Sequence, residues 1–142
     1  MSRYISKVLR EIVAKRAQYR CEYCQIQENR TFYKFQVDHI ISVKHGGITE
    51  IDNLALACTV CNRNKGSDLG TYIDDKLEEL VRFYNPRKDF WSDHFEMLDT
   101  GVIAPQTDIG KATEKILGFN HPYSVMERKY VIEFINANFV CP

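Results

Sequence analysis

Near the N-terminus, apolar residues return every three or four positions. Val8, Leu9, Ile12, Val13 and Ala17 share one helical face, and Ser6 stands in front of them as an N-cap, so a helix is predicted over residues 7–18. Arg10, Lys15 and Arg16 fall on its more exposed side. Over residues 31–39 (TFYKFQVDH) aromatic and β-branched residues predict a strand. Phe35, Val37 and His39 would then share one face and Asp38 the other, so a site using both Asp38 and His39 calls for a bend or bulge. Residues 40–52 hold Gly46-Gly47 and read as a loop, residues 53–57 as a second short strand, and residues 58–65 as a short helix stopped by Gly66.

The second half is less regular. Residues 69–84 fit either a helix from Asp74 or a hairpin turning at Asp75-Lys76, and Thr71, Tyr72 and Ile73 favour the hairpin. Asn85-Pro86-Arg87 is a turn, residues 90–98 are mixed with Trp91 and Phe95 inward, and residues 110–117 form a helix ended by Gly118. Ser124-x-x-Glu127 is a capping-box pattern opening a final helix to about residue 138, with Met126, Tyr130, Phe134 and Ala137 on its inner face.

With 142 residues, 44% of them hydrophobic, the chain suits one globular domain with its own core. Within residues 1–142 the expected parts are an N-terminal helix (1–19), a motif-rich core (20–67) and a C-terminal extension (68–142). No apolar run approaches the ~18 residues of a membrane span, and the charged N-terminus lacks the apolar centre of a signal peptide, which makes a cytoplasmic protein without membrane contact the expectation. Net charge is zero, yet residues 1–66 carry 11 Lys/Arg against 6 Asp/Glu, and residues 67–142 carry 8 against 13. The basic half holds the motifs, as a polyanion-facing half would.

Four of the five cysteines form two Cys-x-x-Cys pairs, Cys21/Cys24 and Cys58/Cys61, separated by 33 residues. Two such pairs favour a closed four-thiolate structural zinc site over a redox pair or plain buried thiols. The long separation leaves room for a hairpin between the knuckles. Cys141 has no partner in this pattern and receives no role.

Asp38-His39, Asn53 and Asn62 interlock with these knuckles. Hydrolysis of a phosphodiester needs a base to activate water and a cation on the phosphate and leaving oxygen. His39 titrates in the range such a base needs. Asp38 and Asn62 offer hard oxygen ligands for Mg²⁺ or Mn²⁺, Asn53 can hold the loop that aims His39, and Arg63 and Lys65 are candidates to meet flanking phosphates. His45 and His121 read as loop and turn residues and His94 as a packing residue; Tyr19, Tyr23 and Tyr33 are candidates for stacking on bases.

The stretch VDHIISVKHGGITEIDNLALACTVCNRNKGS resembles the core of HNH endonucleases in their four-cysteine zinc branch, over about residues 20–67. The resemblance implies an α+β, ββα-metal fold and a DNA endonuclease with structural Zn²⁺ and catalytic Mg²⁺ or Mn²⁺. It implies His39 as general base, Asp38 and Asn62 as ligands of the catalytic ion, Asn53 as the residue orienting the loop, and products with 5′-phosphate ends. Asn62 stands where the family name implies His, which favours a hard ion. The expected substrate is double-stranded DNA read with low sequence specificity, and the acidic C-terminal half is a candidate surface for a homodimer or a protein partner. The rival reading is a catalytically inactive zinc module that binds nucleic acid or protein.

Overall fold

The computed structural model describes residues 3–28, 34–74 and 76–139. The architecture is α+β: five α-helices and three two-stranded antiparallel sheets among the described residues.

Helix α1 (Lys7–Arg16) starts where the sequence places it, with Ser6 Oγ accepting from the Leu9 amide. Its buried face differs from the predicted one. Ile5, Leu9, Val13 and Ala17 turn inward onto Leu54, Leu56 and Val37, while Val8 (69% exposed) and Ile12 stay outside. The surface beneath α1 is a sheet only two strands wide, so one narrow stripe of the helix, with Ala14 beside Val13, covers it.

That sheet pairs β1 (Gln36–His39) with β2 (Leu54–Ala57) in unbroken register, His39 opposite Leu54 and Gln36 opposite Ala57. Of the strand predicted over residues 31–39, residues 31–33, including Tyr33, lie outside the described residues. β2 is buried throughout, its faces divided between α1 and the larger core. Helix α2 (Thr59–Lys65) follows directly, capped by Cys58 and stopped at Gly66, whose φ of +51° admits glycine readily.

The hairpin alternative holds downstream: β3 (Gly70–Ile73) and β4 (Lys76–Arg82) pair antiparallel. Past a turn bonded from the Lys88 amide to the Asn85 carbonyl, the short helix α3 (Trp91–His94) leads to strands β5 (Phe95–Met97) and β6 (Ile103–Pro105). Helix α4 (Asp108–Leu117) is capped by Thr107 and ended by Gly118 at φ +71°. His94 packs as expected, edge-on to Tyr84 and Phe95, with Nδ1 2.7 Å from Thr107 Oγ1.

Helix α5 (Pro122–Phe139) begins two residues before the predicted cap, because proline suits the first helical position. Ser124 is therefore inside the helix and buried. The inner face carries Ser124 and Arg128, and the expected inner residues Met126, Tyr130, Phe134 and Ala137 are exposed. Hydrophobic spacing misled here because the buried contact is made by a guanidinium. Arg128 gives hydrogen bonds to the carbonyls of Gly101, Phe119 and Cys24. The main core runs from the knuckles through Tyr84 and Phe95 to Leu117 and Phe119, so the extension packs directly on the motif-bearing part.

Candidate active site and metal centre

Each knuckle closes on itself first. The Cys24 amide donates to Cys21 Sγ, and the Cys61 amide to Cys58 Sγ, both at 3.4 Å. The first knuckle is tightened by the Cys21 amide on the Ile26 carbonyl and by Gln25 at φ +68°. It is sewn to β2 by Glu22, whose amide donates to Leu56 O and whose carboxylate accepts from the Leu56 amide. Arg87 pairs with the same carboxylate.

The four buried sulfurs lie within 4.8 Å of one another, with Cys24 and Cys58 Sγ 3.6 Å apart. A tetrahedron with Zn–S bonds of about 2.3 Å has edges of about 3.8 Å, so the cluster has the dimensions of a closed zinc site. Sulfurs in this packing resist ionising together without a cation. Hydrogen bonding among the cysteines, then burial, pushes the Cys24 thiol well up, and burial does the same to Cys61. The Arg128 side chain stands in the field of all four. Among the described residues these cysteines are the single group of three or more Cys, His, Asp or Glu placed to share an ion.

Asp38 points away from α1, into the seam between β1, the first knuckle and α2. There it is 6% exposed, and Tyr23 Oη donates to Oδ2 at 2.9 Å. Lys65 Nζ lies 3.1 Å from the same oxygen and gives a second hydrogen bond to the His39 carbonyl. Burial raises the Asp38 pKa; Lys65 and Tyr23 oppose that rise. Lys65 is thus no surface phosphate ligand as its position past the second knuckle suggested: it is 2% exposed, on the inner face of α2, because a buried carboxylate needs a counter-charge. Tyr23, fully buried, is likewise no stacking platform.

His39 takes the opposite face of β1, as the alternation predicts, yet no bulge is needed. The chain bends after the strand, at Ile40, and both residues line one cavity of about 480 Å³ at the strand end, which Asn62 of α2 also lines. His39 Nε2 is 2.9 Å from Thr49 Oγ1. Burial lowers its pKa, Lys65 and Arg3 reinforce this, and Asp38 opposes it.

Asn53 closes the loop between the strands. Its Oδ1 accepts from the Ile41 amide, and its Nδ2 donates to the carbonyls of Ile41 and Ile48, all at 2.9 Å. At Gly47 a Cβ would lie 1.7 Å from the Ile41 carbonyl oxygen, so only glycine permits this closure. The loop carrying Thr49 is thereby held against the end of β1, beside His39.

Arg63 is exposed on the other flank of α2 and lines a larger groove of about 730 Å³ with Lys111 and Lys115. That groove contains neither His39 nor Asp38. Nothing in the residue pattern marks Tyr23 or Thr49 as partners of Asp38 and His39, or announces the cationic lining that Arg3, Arg10 and Lys44 add to the cavity that His39 and Asp38 share. These approaches join segments distant in the chain.

A family model described as HNH endonuclease matches residues 21–68, about a third of the chain, spanning both knuckles, Asp38, His39, Asn53 and Asn62. HNH domains are nuclease-type modules. No curated protein and no solved structure matches the chain. No described helix is long and apolar enough to cross a membrane.

Proposed function

We propose that this HNH domain is an active, metal-dependent endonuclease that hydrolyses phosphodiester bonds of double-stranded DNA. What carries the reading is one cavity lined by His39, with its anchored imidazole, by Asp38 and by Asn62, in a chain that also holds a closed four-cysteine cluster. A zinc ion in that cluster leaves no coordination position for substrate, so its contribution is to the fold. Asp38 and Asn62 suit a Mg²⁺-type ion, which takes one or two protein oxygens and keeps several waters. Such an ion, when bound, supplies positive charge at the scissile phosphate and the departing oxygen.

The chain's own residues do the rest. With Nε2–H donated to Thr49, Nδ1 of His39 keeps its lone pair and accepts a proton from a water molecule as that water's oxygen attacks phosphorus. The bond to the 3′-oxygen breaks, leaving a 5′-phosphate and, after protonation, a 3′-hydroxyl. Asn53 holds the loop that fixes the imidazole, which preserves near-attack geometry. Burial disfavours the charged form of His39, and a base requires the neutral one.

One observation favours the rival, a catalytically inactive zinc module. The Lys65 ammonium already rests on Asp38, and a metal ion must share or displace it. End-group analysis of a labelled duplex incubated with Mg²⁺ or Mn²⁺ separates the two. Fragments with 5′-phosphate ends support the nuclease; an intact duplex that is nevertheless bound supports the inactive module.

A further inference from the structure

We infer that Arg3, Arg10 and Lys44 form a rim that binds backbone phosphates of duplex DNA across the mouth of the catalytic cavity. This rests on the nuclease reading of that cavity and extends it to the N-terminal segment, outside the HNH match.

All three line the same cavity as His39, Asp38 and Asn62, and all three are exposed. They come from separate places: Arg3 precedes α1, Arg10 lies on it, and Lys44 sits on the turn after Ser42. Elsewhere on the chain several cations are matched by an acid. Lys15, Lys76, Arg82, Arg87, Lys115 and Lys129 each face a carboxylate. Among the described residues no carboxylate pairs with Arg3, Arg10 or Lys44, and the cavity's one acid, Asp38, is matched by Lys65. Three cations converging without a counter-charge repel one another and raise the local potential for an anion. In a chain of zero net charge, that concentration at a single mouth is a local feature. Arg10 is partly preorganised, since Nε donates to the Ile5 carbonyl at 3.1 Å and leaves its terminal nitrogens for a two-pronged grip on phosphate.

The test is duplex binding across a salt series, in buffer without Mg²⁺ or Mn²⁺, using a His39→Ala parent so that no strand is cut. Removing the rim (Arg3→Ala, Arg10→Ala and Lys44→Ala together) lowers the slope of log affinity against log salt by about 2 to 3, near 0.9 for each phosphate no longer neutralised. Removing three cations elsewhere (Lys15→Ala, Lys76→Ala, Lys129→Ala) changes net charge equally and leaves the slope unchanged. Lys44→Ala alone, whose side chain holds no hydrogen bond among the described residues, lowers the slope by about 1 and guards against a folding defect from the Arg10 change. Equal slopes for the parent and the rim variants overturn the proposal, as does an equal reduction in the control triple. A rim-dependent slope beside a wild type that never cuts DNA leaves the rim standing and removes the nuclease reading.

Discussion

The phenol of Tyr23 donates a 2.9 Å hydrogen bond to Oδ2 of Asp38, from a position between the two cysteines of the first knuckle. The four-cysteine cluster and the candidate catalytic carboxylate are therefore mechanically one unit. A zinc ion that fixes Cys21 and Cys24 also fixes the donor that aims Asp38.

Tyr23→Phe keeps the ring, including its edge contact with Tyr84, and deletes only that donor. A hydrogen bond to a charged group is worth about 1.5–3 kcal/mol, and the variant should lose that much in urea unfolding of zinc-loaded protein. An unchanged midpoint would mean that Lys65 alone holds Asp38.

Asn53→Asp is a sharper probe of the loop than alanine. It retains an acceptor for the Ile41 amide, removes both donors, and sets a carboxylate against the carbonyls of Ile41 and Ile48. We expect at least about 2 kcal/mol of destabilisation and faster amide exchange over residues 41–48. Cleavage should fall by more than DNA binding does, and equal losses would contradict a positioning role.

The elements were largely legible in the sequence, and the reasons are local. Ser6 caps α1, Gly66 and Gly118 stop α2 and α4, and Thr71-Tyr72-Ile73 favoured the hairpin that exists. The two knuckles were legible because thiolate spacing is a covalent constraint. What failed depended on neighbours. The inward stripe of α1 does not follow from spacing because the width of the sheet beneath it is a tertiary property. Lys65 read as surface because nothing in CNRNKG reveals the carboxylate that α2 meets. The inner face of α5 was misread because its deepest residue, Arg128, is charged.

The pH dependence follows from His39. Its pKa lies below the ordinary imidazole value of about 6.5, and a cation held at Asp38 pushes the same way. A base at this position must be neutral, so on the proposed mechanism the cleavage rate should rise with pH through a midpoint below 6.5 and level off above. Stability has the same sign. A histidine with a depressed folded pKa binds protons more readily when unfolded, so its contribution is complete above the unfolded value and is lost as pH falls towards the folded one. A rate that instead falls as pH rises from 5 to 7, taken as an approximate window around the imidazole value, would contradict a neutral base.

Metal analysis should find one zinc per chain, held by Cys21, Cys24, Cys58 and Cys61. Four thiolates and one Zn²⁺ carry two net negative charges, and Arg128 is the buried cation beside them. Arg128→Met should speed zinc release to a colorimetric chelator and lower the melting temperature of the zinc-loaded protein. Equal release rates would limit Arg128 to its carbonyl hydrogen bonds.

If His39 activates water for phosphodiester hydrolysis, cutting depends on its imidazole. The decisive assay incubates supercoiled plasmid with wild type and with His39→Ala, in Mg²⁺ and then in Mn²⁺. We expect nicked or linear product from wild type and a loss of at least about a hundredfold in the variant, the lower end of what general-base catalysis contributes. Equal cutting by both proteins, or intact plasmid with both metals while DNA is still bound, would contradict that role.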